Sequence, residues 1–257
     1  MQTYLSRRQA LRALSVSAAG SGLIAPPAIA DAAAPAAADN PVGVCLLMPQ
    51  AVEGPYYFNP ERVRADITEG REGAPVALKL RIVDAKGCTP MPGLRVDVWH
   101  ADAGGIYSGY ANQGDNRDVS TKGQTYLRGT QMTDADGFVQ FRTIYPGWYP
   151  GRTPHIHVKA FLDMTTLVTG QIYFPDEISA QIYAERKPYS ARPVADTTNA
   201  SDGIFRAGEH DGGGIVLAVS EAGDAITAAL MIGVDMTGEV ARKGSGFGGF
   251  FRRLLGR

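Results

Sequence analysis

The chain has 257 residues, of which 44% are hydrophobic and 20% charged, a balance that is ordinary for a globular protein and excludes wholesale disorder. Residues 1–30 hold three arginines and residues 241–257 hold five basic residues, and neither stretch holds an acidic residue. Subtracting these eight from the 25 basic residues leaves 17 against 26 acidic ones in the stretch between. Such an acidic body excludes a nucleic-acid binder, and a total of two cysteines excludes a cysteine-rich zinc module.

The first 30 residues have the form of an export signal. A basic start at Ser6-Arg7-Arg8 is followed by a weakly apolar run, and Ala28-Ile29-Ala30 offers small residues of the kind found at a cleavage site. The paired arginines predict a twin-arginine-type signal peptide, and therefore a periplasmic or secreted protein. An amphipathic helix that stays attached is the alternative. No other stretch is apolar for about 20 residues, so no stable membrane anchor is expected.

The remaining chain divides by composition into three parts. The Ala- and Pro-rich residues 31–44 predict a disordered lead-in, residues 45–240 predict one β-rich domain, and residues 241–257 predict a basic flexible tail. Because the tail combines phenylalanines and a leucine with arginines, contact with a membrane surface is a second interpretation.

Alternating apolar residues predict short strands through the β-rich domain. Val76, Leu78, Leu80 and Ile82 alternate with polar or small residues, a period of two that is typical of half-buried strands. Further strands are predicted at Leu94–Trp99, Phe138–Ile144, His155–Leu162, Leu167–Phe174, Ile215–Val219 and Ile226–Asp235. One helix is predicted at Asp176–Lys187, with Asp176 as its N-cap. About seven strands separated by turns predict an all-β fold, an antiparallel β-sandwich with little helix.

Two of the four histidines lie in one predicted strand, as His155-Ile156-His157. Residues i and i+2 of a strand point the same way, so both imidazoles leave one face with their Cα atoms about 6–7 Å apart. They could chelate one metal ion, although a plain polar strand face is the other interpretation of an H-x-H pattern. For His100 and His210 we expect structural or solvated roles.

Tyrosines supply the other candidate ligands. Tyr149 precedes His155 by six residues, and Tyr107 follows the Leu94–Trp99 strand. A phenolate is a hard, anionic oxygen donor that suits ferric iron. Two tyrosinates and two neutral histidines would satisfy a trivalent ion and leave a position for substrate.

These residues belong to a combined pattern that extends from about Cys45 to Asp235. Its runs are Glu53-Gly54-Pro55-Tyr56-Tyr57, Gly87-Cys88, Val96-Asp97-Val98-Trp99-His100-Ala101-Asp102, Tyr107-Ser108-Gly109, Thr133-Asp134-Ala135-Asp136-Gly137, Tyr145-Pro146-Gly147-Trp148-Tyr149 and His155-Ile156-His157. The pattern resembles that of the intradiol ring-cleavage dioxygenases, which use non-haem Fe(III) to cleave catechols. With a signal peptide in front, the chain is most similar to the exported, protocatechuate-type branch.

The resemblance implies an intradiol dioxygenase β-sandwich catalytic domain over residues 45–240. It implies that Tyr107, Tyr149, His155 and His157 bind Fe(III), and that Tyr149 leaves the iron and acts as a base. Arg152 and Gln171 would stabilise charge on the ring as O2 attacks. The implied partners are a catechol and O2, the implied product is a cis,cis-muconate, and a homodimer is compatible with the family. Without the resemblance, Arg152 would be interpreted as a solvated loop charge and Gln171 as a strand-face amide.

Two alternatives from other classes stay open. One is a secreted β-sandwich binding module that has lost its iron. The other is a metallo-hydrolase that uses His155 and His157 together with a carboxylate such as Asp97 or Asp102.

Two further expectations concern the substrate and the cysteines. A carboxylated catechol needs a cation in the pocket, and Arg152 is the only basic residue between Tyr149 and His157. We therefore expect neutral catechols to be preferred, with Lys159 and Arg128 as the residues most able to change this. Cys45 and Cys88 could form a disulfide in an oxidising compartment, and free buried thiols are the alternative.

Overall fold

The computed structural model describes Cys45 and residues 47–59, 61–208 and 214–237. The predicted signal peptide, the lead-in over residues 31–44, the basic tail over residues 241–257 and His210 lie outside the described residues. All described residues belong to one compact unit. No helix within the described ranges is long and apolar enough to cross a lipid bilayer.

Nine strands and two helices make up the described chain. The strands are β1 (Pro75–Asp84), β2 (Arg95–Trp99), β3 (Arg128–Met132), β4 (Phe138–Ile144), β5 (His155–Leu162), β6 (Thr165–Tyr173), β7 (Ile215–Val216), β8 (Ala218–Ala222) and β9 (Ala225–Val234). The helices are α1 (Asp176–Glu185) and α2 (Gly203–Arg206), with a short 3-10 turn at Tyr189–Ala191 between them.

The strands form two sheets, in the orders β4-β1-β9-β8 and β3-β2-β5-β6-β7. Leu80 and Ile232 of the first sheet join Val98, Val158 and Ile172 of the second in one buried core. The period of two along β1 places every second side chain in this core. The predicted β-sandwich with little helix is therefore confirmed, and the parallel pairs β1–β9 and β6–β7 make each sheet mixed.

One predicted strand, the predicted end of the helix and its predicted N-cap are wrong. The strand expected at Ile215–Val219 is two short strands, because the chain leaves the second sheet at the buried Leu217, whose N–H donates to Tyr173 O at 2.8 Å, and enters the first sheet as β8. The helix ends at Glu185, and Pro175 rather than Asp176 holds its N-cap position. The Asp176 carboxylate accepts the N–H of Asn199 at 3.0 Å, so it ties down a distant loop instead of capping the helix.

A disulfide joins Cys45 to Cys88, with their Cα atoms 5.5 Å apart. The pairing that the sequence left open is therefore present, and the free-thiol alternative is wrong. Beyond Cys45 the chain follows the two sheets, since Met48 N donates to Gly233 O at 2.9 Å and Ala51 N donates to Thr169 O at 2.8 Å. The disulfide thus fixes the N-terminal arm, the segment that begins at Cys45 and includes Met48 and Ala51. This arm leads toward the candidate site.

Candidate metal centre

The centre of the site is a row of side chains that crosses three strands of the second sheet. His157 pairs with Trp99 of β2 on one side and with Gln171 of β6 on the other. His155 and His157 leave the same face of β5, while the side chains of Ile156 and Val158 lie in the core. The strand-face prediction for the two histidines is therefore correct, and the core holds the strand that carries them.

Tyr107 reaches the same place from the long connection between β2 and β3. The Asp102 carboxylate opens this connection by accepting the N–H groups of Gly104 at 2.9 Å and Ile106 at 3.0 Å. Thr121 Oγ then donates to the carbonyl of Tyr107 at 2.7 Å. Local hydrogen bonds thus fix the backbone on both sides of a ring that is itself 1% exposed.

Tyr149 and Arg152 are the two ends of one tight turn. Arg152 N donates to Tyr149 O at 3.0 Å across Pro150 and Gly151. Gly151 has a φ of 77°, a conformation that favours glycine in the third position of a turn after a proline. The Pro-Gly pair therefore folds Arg152 back beside Tyr149.

The loops that carry the two tyrosines pack closely at Gly147. Its N–H donates to Asp102 O at 3.0 Å. A Cβ atom added at Gly147 would lie 2.4 Å from the carbonyl oxygen of Ala103. The absence of a side chain at this position lets the Tyr107 and Tyr149 loops meet.

The four predicted ligand atoms converge. Tyr107 Oη lies 3.1 Å from His157 Nε2, 3.3 Å from His155 Nε2 and 3.4 Å from Tyr149 Oη. Tyr149 Oη lies 3.1 Å from His155 Nε2. Because metal–nitrogen and metal–oxygen bonds are about 2 Å long, donors that share one ion are expected about 3 Å apart. Two phenols and two imidazoles therefore form a donor set that fits one metal ion.

Both imidazoles are kept in the neutral form, which is the form that binds a metal ion. His155 Nδ1 lies 2.7 Å from the carbonyl of Thr153; a carbonyl only accepts, so Nδ1 carries the proton and the lone pair of Nε2 faces the cluster. Trp99 stacks on His157 with ring centroids 4.6 Å apart. Burial, reinforced by the charge of Arg152, lowers the pKa of His155 to about 3. Burial and the neighbouring His155 also lower the pKa of His157.

Burial changes the pKa values of the two tyrosine phenols in the opposite direction. Burial raises the pKa of Tyr107, and the neighbouring Tyr149 raises it further. Burial also raises the pKa of Tyr149, although the charge of Arg152 works against this. Both phenols therefore keep their protons unless a strong positive charge lies among the four donors. A highly charged cation is the group that this set would bind as tyrosinates.

Arg152 and Gln171 lie beside the cluster. One terminal nitrogen of Arg152 (Nη2) donates to Gln171 Oε1, and the other (Nη1) lies 3.4 Å from Tyr149 Oη. Gln171 is 4% exposed. The interpretations of Arg152 as a solvated loop charge and of Gln171 as a plain strand-face amide are both wrong.

Asp202 is the site residue that the sequence analysis missed. Its side chain has no exposed surface, and its carboxylate accepts from Arg152 Nε at 2.8 Å. The only sequence signal was a lone Asp before Gly203, the pattern of a helix N-cap. Its pairing with an arginine 50 residues away follows from the tertiary fold.

The structure argues against the hydrolase alternative. Asp97 accepts hydrogen bonds from Tyr57 Oη at 2.8 Å and Thr130 Oγ at 2.7 Å, and pairs with Arg95. Asp102 pairs with Arg71. Within the described ranges, no three His, Cys, Asp or Glu side chains gather where a metal ion could bind. Both carboxylates are thus engaged elsewhere.

His100 has the structural role that was expected. It is 1% exposed, with Nδ1 2.8 Å from Ala101 O and Nε2 2.6 Å from Thr143 Oγ. Burial lowers its pKa to about 4, so it is a neutral hydrogen-bonding residue behind the site.

This fold and donor set define a class of protein. A family model described as Dioxygenase matches residues 52–203, more than half of the chain. The chain therefore belongs to that family, the intradiol ring-cleavage dioxygenases.

Particular relatives can then be named. The chain is similar to the intradiol ring-cleavage dioxygenase from Tetranychus urticae, with 32% identity and a TM-score of 0.67, over 74% of this chain and 95% of that one. It is 31% identical to catechol 1,2-dioxygenase 1 of Acinetobacter lwoffii, over 44% of this chain and 36% of that protein. It is 35% identical to the protocatechuate 3,4-dioxygenase beta chain of Burkholderia cepacia, over 44% of this chain and 52% of that protein. The chain thus spans about a third to a half of the length of these two curated relatives.

Proposed function

We propose that the protein is an exported, non-haem Fe(III) intradiol dioxygenase that cleaves catechol-type diols with O2 to cis,cis-muconate products. The observation that carries the proposal is the convergence of Tyr107, Tyr149, His155 and His157 at donor separations of 3.1–3.4 Å. Membership of the family supports the same reaction class.

The four donors would hold the iron. Two tyrosinates and two neutral imidazoles offset two of the three charges of Fe(III), and hard oxygen donors favour that ion. Ferric iron, when bound, draws electron density from a catecholate and makes its ring reactive toward O2. The binding-module alternative would leave these buried groups without a purpose, so we favour the enzyme.

The two tyrosines are suited to different tasks. Tyr107 is buried beneath Tyr56, which stacks on it with ring centroids 4.6 Å apart. Tyr149 is only partly buried and has the Arg152 guanidinium beside its oxygen. Tyr149 Oη is therefore the group that would take a proton from an incoming catechol, while the buried Tyr107 would hold the iron.

Arg152 and Gln171 act on the substrate by electrostatics. The guanidinium charge and the amide dipole lie at the edge of the cluster, in a partly water-excluded setting where a fixed charge has a larger effect. They would stabilise the negative charge that builds on the ring. Neither group needs to exchange a proton for this role.

Export is supported by two independent features. The Arg7-Arg8 pair has the form of a twin-arginine signal, and the Cys45–Cys88 disulfide is typical of an oxidising compartment. A periplasmic or secreted enzyme acting on external catechols, as monomer or homodimer, is the setting we propose.

The ligand assignment is tested with Tyr149→Phe and His157→Ala. Both variants are expected to lose ring cleavage by at least about 100-fold, and to lose or weaken the tyrosinate-to-Fe(III) visible absorption. Iron content by elemental analysis, the visible spectrum and the formation of the conjugated diacid product by ultraviolet absorption are the measurements.

Tyr183→Phe is the matched control, since its hydroxyl donates to Pro146 O at 2.8 Å outside the donor set. It should keep both colour and activity. Wild-type activity and an unchanged spectrum in both ligand variants would refute the assignment.

A further inference from the structure

Asp202 is a buried carboxylate whose four hydrogen bonds point in two directions. Oδ1 accepts the N–H groups of Ile204 at 2.7 Å and Phe205 at 3.1 Å, and so caps α2. Oδ2 accepts Thr153 N at 3.0 Å and Arg152 Nε at 2.8 Å. One side chain therefore ties α2 to the segment between Tyr149 and His155.

This ion pair determines which way the Arg152 guanidinium faces. Because the guanidinium is planar, the hydrogen bond from Nε to Asp202 restricts the direction of both Nη nitrogens as well. In this orientation Nη2 donates to Gln171 Oε1 and Nη1 lies 3.4 Å from Tyr149 Oη. A guanidinium without Asp202 would keep its charge but lose one of the two contacts that fix its plane.

The side-chain amide of Gln171, which accepts a hydrogen bond from Arg152, is itself held by two further hydrogen bonds. Tyr173 Oη donates to Gln171 Oε1 at 3.1 Å, and Gln171 Nε2 donates to Val52 O at 3.1 Å. These contacts determine which end of the amide faces Arg152. The guanidinium is thus held between a buried carboxylate and an oriented amide.

We propose that Asp202 is a positioning residue for Arg152, which it holds with both terminal nitrogens toward the reacting ring. The inference rests on the proposed function, because it concerns the charge that Arg152 supplies during ring cleavage. Asp202 itself does not contact the four donor atoms. Its effect on turnover is expected to pass through Arg152, while its hydrogen bond to Thr153 N anchors the backbone of the loop.

Asp202→Asn is the test variant. Its Oδ1 retains the acceptor for the α2 cap, and its NH2 group replaces the charged oxygen that accepts Arg152 Nε and Thr153 N. In the iron-loaded enzyme kcat for catechol should fall on the order of 10- to 100-fold, the cost of misplacing a catalytic group by about 1 Å. KM should change by less than about threefold, and the visible iron absorption should stay.

Asp176→Asn is the matched control. Asp176 anchors the same loop through Asn199 N, at 3.0 Å, and does not contact Arg152. It should keep a kcat within about twofold of the wild type. A loss as large as that of Asp202→Asn would show that loop anchoring, not positioning, is what matters, and would overturn the proposal.

Two readouts separate positioning from a structural role. In an Arg152→Ala background, Asp202→Asn should cause no further loss of kcat, whereas a purely structural effect would appear in both backgrounds. In the metal-free protein, the Arg152 Nε–H should exchange slowly with solvent by NMR in the wild type and in Asp176→Asn, and rapidly in Asp202→Asn.

Wild-type kcat in Asp202→Asn, an equal loss in the Arg152→Ala background, or an unchanged Nε–H exchange rate would each overturn the inference. If the iron-loaded wild type cleaves neither catechol nor 4-methylcatechol, the proposed function fails instead. The NMR exchange rates then still decide whether Asp202 positions Arg152.

Discussion

Lys159 follows His157 by two residues in β5. Its side chain therefore lies on the same face of the strand as those of His155 and His157. Its ammonium group is bound to Glu53 and lies 4.6 Å from the centre of the Tyr57 ring. The other cation that could have met an anionic substrate, Arg128, is 1% exposed and donates to Ser108 Oγ, Ser108 O and Tyr56 O. Both groups are therefore engaged within the protein, which supports a preference for neutral catechols.

Glu53→Gln is expected to shift that preference. Removing the carboxylate would free the Lys159 charge for a carboxylated substrate, so the ratio of kcat/KM for protocatechuate to that for catechol should rise about 2- to 5-fold, the range of one partly exposed ion pair. Steady-state assays of both substrates measure the ratio. Glu177→Gln, which removes an equal charge from an exposed position of α1, should leave it unchanged.

A wild-type enzyme that already prefers protocatechuate would contradict the prediction. So would a ratio that stays constant in Glu53→Gln, because Lys159 would then not reach the substrate.

Single residues were predictable from the sequence where their chemistry is rare. His155, His157, Tyr107 and Tyr149 were found because that donor combination in that pattern suits one kind of metal. Asp202 was not, since one Asp among the 26 acidic residues carries no sign of which arginine it will face.

At the scale of elements, alternation of apolar and polar residues in the sequence predicted most of the strands and missed β3, whose sequence lacks that alternation. In β3, the three residues Arg128, Gly129 and Thr130 are buried in succession, and two of these three are polar. The strand forms because β2 offers a complete pairing edge, and because Ser108 and Tyr56 satisfy the Arg128 guanidinium. Both causes are long-range contacts that a local pattern does not contain.

The N-terminal arm is the element whose stability depends on a covalent link. Cys45 and Cys88 are 43 residues apart in sequence, and closing a loop of that length removes entropy from the unfolded chain. Cys45→Ser/Cys88→Ser should therefore lower the free energy of unfolding by about 3–4 kcal/mol. Urea unfolding of the metal-free protein is the measurement.

Reduced wild type is the control for this variant and should unfold at the same urea concentration as the double variant. Two thiols that alkylate freely in native, unreduced wild type, detected by intact mass, would contradict the pairing.

At the scale of the whole molecule, the sandwich buries three imidazoles around one end of its second sheet. The pKa of His100 is lowered to about 4 and that of His155 to about 3, in both cases mainly by burial, and the pKa of His157 is lowered in the same way. An unfolded chain has ordinary histidines, with pKa values near 6.5. Between pH 6.5 and 4 the unfolded state therefore binds protons that the native, metal-free state does not.

The metal-free protein should consequently lose stability as the pH falls. Unfolding takes up protons in this range, so the free energy of unfolding decreases with decreasing pH, by up to about 1.4 kcal/mol per pH unit for each buried imidazole that titrates fully in the unfolded chain. Urea unfolding at pH 7.5, 6.5, 5.5 and 5.0 measures the slope, at pH values where most carboxylates stay ionised in both states. His100→Gln should reduce this slope of unfolding free energy against pH by the contribution of one buried imidazole. His100 is not one of the four donors, so its replacement leaves His155 and His157 in place. A stability that stays constant from pH 7.5 to 5.0, or a slope that His100→Gln leaves unaltered, would mean that the buried imidazoles accept protons in the native state.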